Sequence, residues 1–176
     1  MYSGSWHSRI VYHDGYNLSF FGIEKCHPFD AQKYRNVYAK LLERGVINRV
    51  VTPERIPRQL LLECLSKWLL LKLCYSIPIC KYIEMPLVMF PSCLLRWRVL
   101  NPMLLATEGT VLSAVIAMEK GWAINLSGGY HHANQHSGSG FCIYSDISIC
   151  VHYLRTRLNL RQILIVDLDA HQGNGY

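Results

Sequence analysis

Apolar and polar positions follow a readable order at both ends of the chain and run together in its middle. Ile10, Val11 and Tyr12 precede the turn residues His13, Asp14 and Gly15, which predicts a short strand and a turn. From Asp30, a residue suited to N-capping, the apolar positions Tyr34, Val37, Tyr38, Leu41 and Leu42 recur at helical spacing until Gly45. That spacing predicts a helix with one apolar face. From about 60 to 105 Leu, Cys and Trp crowd together, and Pro78, Pro86, Pro91 and Pro102 cut the stretch into pieces too short for one long helix. The pattern assigns no element there.

Order returns at Thr107-Glu108-Gly109-Thr110, which opens a segment through Val111, Leu112, Val115, Ile116 and Met118 that closes at Gly121, the layout of a capped helix. A strand is predicted over 122–126, a glycine-rich loop over 127–140, a helix over 145–157 and a strand in the apolar run 163–166. Strand, loop, helix, strand is a βαβ unit, which predicts an α/β fold with a parallel sheet. Ligand sites in such sheets lie at the carboxyl ends of strands, and both His-rich segments of this chain fall there. No internal repeat or low-complexity tract is visible.

Length and composition narrow the picture. The 176 residues (20.3 kDa) suit a single domain, and 51% hydrophobic against 17% charged residues argues against disorder. Glu63, Lys67, Lys72, Lys81 and Glu84 interrupt the greasiest stretch, so no membrane span is expected. The net charge of +6 comes from the first part of the chain; residues 126–176 hold three basic and three acidic residues and five of the eight histidines. A neutral, His-rich and Asp-containing third suits a metal site better than a nucleic-acid surface, and no nucleic-acid partner is expected. Seven cysteines with no C-x-x-C pair disfavour a disulfide framework, and the N-terminus has no signal-peptide pattern. An intracellular, reducing compartment is the expectation.

The densest chemistry is Asp167-Leu-Asp169-Ala-His171-Gln-Gly-Asn174-Gly175 behind the apolar run 163–166. In an extended backbone Asp167, Asp169 and His171 share one face, and two carboxylates with an imidazole can hold zinc, iron or manganese. The plainer alternative is a strand-end turn with solvated carboxylates. His131 and His132, behind Gly128 and Gly129, suit either metal ligation or a base with its electrostatic partner. Phe141, after Gly138-Ser-Gly140, either walls a narrow pocket or packs in the core. Cys142 and Cys150 read as buried apolar side chains, and His13, His27, His136 and His152 as loop or surface residues.

Taken together, Gly-Gly-Tyr-His-His (128–132), Gly-Ser-Gly-Phe-Cys (138–142) and Asp-Leu-Asp-Ala-His-Gln-Gly-Asn-Gly (167–175) resemble the zinc-dependent histone deacetylases. The Asp-Ala-His-Gln-Gly-Asn form, with His27-Pro-Phe-Asp30 and Gly121-Trp-Ala-Ile-Asn125, looks most like class IV. The likeness covers about 10–51 and 102–176 and is poor over 53–98.

The resemblance implies a three-layer parallel-sheet fold of the arginase-deacetylase type and hydrolysis of acylated lysine side chains on histones or other proteins, in the nucleus or cytoplasm, with a part in chromatin regulation and transcription repression. By the family pattern Asp169 and His171 ligate zinc. His132 acts as general base, with Asn174 as its partner, and His131 is its companion, held by Asp167. Gly140 and Phe141 line the acyl-lysine channel, and Asp167 contributes to a potassium site. The family's third zinc ligand and its transition-state Tyr fall beyond Tyr176. The expectation is therefore the N-terminal part of a longer catalytic domain, its fold incomplete at the C-terminus and its activity reduced or absent. Two alternatives stand beside this reading: an arginase- or agmatinase-like metallohydrolase, and an inactive truncated form that binds partners.

Overall fold

A computed structural model describes residues 7–26 and 30–176; the motif residues His27, Pro28 and Phe29 lie outside them. The chain starts with β1 (Ile10–Val11), and the turn at Asp14–Tyr16 follows, where His13 Nδ1 accepts the Gly15 N–H at 2.8 Å. Next comes α1 (Lys33–Glu43), which starts three residues after Asp30 because Asp30 spends its side chain on an Asx turn with Gln32 N. Helix α1 buries no residue fully. Tyr34 and Tyr38 lean on the buried Tyr12 and Tyr16, but Val37 and Leu42 are exposed, so the predicted apolar face is narrower than its pattern.

The unassigned middle folds as four short helices, α2 (Arg58–Cys64), α3 (Lys67–Lys72), α4 (Ser76–Tyr82) and α5 (Ser92–Leu95). Ser66 Oγ accepts Leu69 N at 3.1 Å and starts α3, whose Leu69 is fully buried four residues before the buried Leu73. Each such side chain contributes about 1.5–3 kcal/mol of transfer free energy.

From α5 the chain runs through a π-helical turn (Arg96–Leu100) into α6 (Asn101–Lys120). Helix α6 starts six residues before Thr107, contrary to the capping pattern. Pro102 follows directly on the π-helical turn inside one helical run, Ser92–Lys120, and does not break it, and Thr107 Oγ1 donates back to Met103 O at 2.8 Å in mid-helix. Gly121, at φ +87°, ends it as expected. The stretch Ser92–Lys120 is long and apolar enough to cross a membrane, but Met103, Ala106, Val111, Leu112 and Ile116 bury its length in the core.

Strand β2 (Ile124–Asn125) pairs with β1 in parallel, Ile10 opposite Ile124 and Val11 opposite Asn125, and Val51 bridges the other side of Val11. Helix α7 (Asp146–Arg157) lies where the sequence placed it and packs on α6. The 163–166 run forms no ladder: Leu164 and Val166 are 86% and 68% exposed. β-propensity needs a partner strand, and none lies beside this segment among the described residues. The parallel pair is therefore present, whereas the segment predicted as the second strand of the βαβ unit forms no strand.

Candidate active site

The site is built on the loop that leaves β2. Gly128 and Gly129 hold φ values of +84° and +75°, and a Cβ on Gly128 would collide with Thr110 Oγ1 and Asp146 Oδ2. Asp146, fully buried in the first turn of α7, clasps this bend. Its Oδ2 accepts Thr110 Oγ1 at 2.6 Å and Gly129 N at 2.8 Å, and its Oδ1 accepts Tyr130 N at 2.7 Å. Burial pushes its carboxyl above the usual range, and these donors pull it partly back. Asn125 closes the cluster from β2, donating to Ala106 O at 3.0 Å and accepting the Tyr16 hydroxyl at 2.9 Å. Sequence reasoning missed Asp146, whose partners come from elements far along the chain.

The bend delivers His131 and His132 with ring centroids 4.1 Å apart. His131 Nδ1 meets Asp167 Oδ2 at 2.8 Å, and His132 Nδ1 meets Asn174 Oδ1 at 2.9 Å. A carboxylate and an amide oxygen only accept, so each Nδ1 is the donor in its contact, and in a neutral imidazole Nε2 is then the nitrogen with the lone pair. The contact with His131, with added help from Asp169 N–H and the Tyr176 hydroxyl, holds the Asp167 carboxyl down at about 2. Tyr176 is pushed up to about 12, first by burial and then by Asp167. Gly175 N donates to His131 O at 2.8 Å, and any side chain at Gly175 would strike the carbonyls of His131 and Ala133. The acidic segment thus wraps closely behind the histidine loop.

His131, His132, Gly140, Phe141, Asp169 and His171 surround one pocket of about 510 Å³, with Tyr16, Leu18, Tyr34 and Met103 among its other walls. Asp167 and Asn174 stand behind the imidazoles as their partners. A Cβ on Gly140 would press into the His132 ring, and its φ of +51° is left-handed. Phe141 meets both readings of it: it lines the pocket and also packs against the main core. Cys142 is buried, and burial pushes its thiol up to about 11. The four further walls carry no local motif and were invisible in the sequence. His152, read as partnerless, pairs with Glu63 at 2.9 Å.

Asp169 and His171 are the pair that the resemblance assigns to zinc. Asp169 Oδ1 accepts His171 N at 2.8 Å, which holds its carboxyl below the usual range, and lies 3.1 Å from His171 Nδ1. Both side chains are exposed, and among the described residues no group of three His, Cys, Asp or Glu is arranged to hold a metal ion. Catalytic zinc takes three protein ligands. The donors present fall short of a zinc site.

This arrangement of histidine loop and acidic segment lies inside a match to the histone deacetylase domain that spans residues 27–176. The chain belongs to the histone deacetylase domain family. It is 41% identical over 170 residues to histone deacetylase 2 of Arabidopsis thaliana, covering 95% of this chain and 44% of that protein. An uncharacterized protein of Picosynechococcus sp. is 36% identical over 168 residues, 94% of this chain and 53% of its own length. An acetoin utilization protein AcuC of Staphylococcus aureus is 46% identical over 70 residues, 38% of this chain and 18% of its own. The chain thus spans about half the length of these first two relatives. Family membership implies the arginase-deacetylase α/β fold, of which β1 and β2 are the paired strands here, and it displaces the arginase-like alternative. The matches run through 53–98, where the motif resemblance was poor.

Proposed function

We propose that this histone deacetylase domain chain provides the base-bearing half of a lysine deacylase of the class IV type, acting on acylated lysine side chains of histones or other proteins. The observation that carries the reading is the pair of imidazoles lining the pocket, each with its Nδ1 held by a partner behind it. In this reading His132 Nε2 takes a proton from the attacking water and returns it to the leaving amine. Asn174 orients that ring without adding a charge, while ionised Asp167 fixes His131. Gly140 and Phe141 flank the aliphatic stem of the substrate lysine.

Asp169 and His171 would supply two donors to a zinc ion, which would polarise the acyl carbonyl and activate the attacking water. The potassium role of Asp167 rests on the resemblance. The three-layer sheet and a nuclear or cytoplasmic location are parts of the same proposal.

The test joins this chain to the part of the Arabidopsis relative that it does not cover and measures amine release from acetyl- and long-acyl-lysine peptides. Hydrolysis that His132→Ala lowers at least about a hundredfold supports the proposal. A folded chimera without hydrolysis, or with hydrolysis indifferent to His132→Ala, overturns it.

A further inference from the structure

A second cleft lies back to back with the histidine pocket. It holds about 360 Å³, within the size range of small-molecule sites, and its polar side is formed by Asn17, Ser19, Arg55, Trp97, Arg98 and Asn101. One segment separates the two cavities: Tyr16 and Leu18 face the histidine pocket, whereas Gly15, Asn17 and Ser19 face the cleft.

The cleft carries two arginines and no carboxylate among its lining residues. Neither arginine forms an ion pair among the described residues. Arg98 sits on the π-helical turn, a feature often found at functional sites. Its guanidinium carbon lies 4.1 Å from the Trp97 ring centroid and 5.2 Å from that of Phe21, and its Nε is buried without a hydrogen-bond partner among the described residues. The two rings hold the guanidinium in place while its charge goes unmatched. Glu24, which shares a small neighbouring cavity with Arg98, has Oε2 occupied by the N–H groups of Phe20 and Gly22.

Two guanidinium groups line one cleft that has no carboxylate among its walls, which favours an anion there. A stacked guanidinium keeps its edge donors for oxygen atoms and suits phosphate. A phosphate monoester carries about −1.5 to −2 charge at neutral pH, close to the two positive charges present. Trp97, 58% exposed, offers ring surface to a flat ligand body. We propose that this cleft binds a small phosphate monoester with a planar body, the phosphate between Arg55 and Arg98 and the plane against Trp97.

Phenyl phosphate and inorganic phosphate are the probes, titrated into the 176-residue chain by calorimetry, with the Asn101 side-chain amide followed by NMR. The expected result is saturable one-site binding of phenyl phosphate, tighter than that of inorganic phosphate. Arg98→Gln and Arg55→Gln each weaken it about tenfold or more, the loss of one charge-assisted contact. Trp97→Ala brings phenyl phosphate down to the level of inorganic phosphate. Circular dichroism checks each fold; if Arg98→Gln unfolds the chain, Arg55→Gln, at an exposed position, carries the test alone. No saturation at millimolar phenyl phosphate, or affinity unchanged by Arg55→Gln, overturns the proposal. Neither readout involves deacylation.

Discussion

His132 Nδ1 rests 2.9 Å from Asn174 Oδ1, an imidazole held by a neutral amide, while its neighbour His131 is held by the carboxylate of Asp167. The two rings are therefore oriented alike but charged differently at their backs. Asn174→Ala removes the acceptor and leaves the ring free to turn. In the active chimera, amine release should fall about 10–100-fold with the melting temperature almost unchanged, and Asn174→Asp, which keeps an acceptor, should recover most of it. Equal activity in Asn174→Ala would show that the contact orients nothing the reaction needs.

Asp146 answers three donors at once. Asp146→Ala leaves two backbone N–H groups without their acceptor and returns the Thr110 hydroxyl to Ala106 O, and should cost about 2–3 kcal/mol in urea unfolding. Hydrogen exchange at Gly129 and Tyr130 should speed up more than in the α6 core. Asp146→Asn should rescue little, because its amino group must face one of the donors. A variant with wild-type exchange at both amides would remove Asp146 from its clasping role.

Asp167 titrates at about 2 in the fold, below the ordinary value near 4. A depressed carboxylate binds its proton less readily folded than unfolded, so the stability it lends is complete above about pH 4 and is lost as pH falls toward 2. Acid unfolding of Asp167→Asn should lack that part of the slope between pH 4 and 2. Superimposable acid transitions in the two proteins would count against the His131 contact in solution.

Gly140→Ala tests the close approach to His132. Its φ of +51° and the ring beside its missing Cβ oppose a methyl group together. We expect a loss of about 1–2 kcal/mol and a displaced His132 resonance in NMR spectra. Gly22→Ala, also at positive φ but with open space around it, should lose stability without moving that resonance.

The unpaired 163–166 run leaves Leu164, Ile165 and Val166 exposed. Such an edge recruits other strands. Val166→Lys should lower the association seen by light scattering at high protein concentration, and unchanged scattering would place the sticky surface elsewhere.

Legibility in the sequence followed the range of the interactions. His131, His132, Asp167 and Asn174 were readable because each pair or run is contiguous and chemically dense. The link between Thr110 and Asp146, 36 residues apart, left no local mark on either side. The 163–166 strand was misread because its apolar pattern is local, whereas pairing depends on a neighbour. Pro102 reads as a breaker but follows a π-helical turn inside a continuous helix, and Thr107, a capping residue by type, bonds back within a helix that has already begun. The capped α3 was hidden by leucines on every side of it.

The clasp around Gly128 and Gly129 draws on Thr110, Asn125 and Asp146, all of which precede the acidic segment in the chain. On a ribosome, where chains fold from the N-terminus, the bend can set before residues 167–176 have been made. The acidic segment then meets a histidine loop that is already shaped and has only to dock on it. Errors in the acidic segment should therefore cost the site its partners without scrambling the loop, so the two halves of the site can drift at different rates.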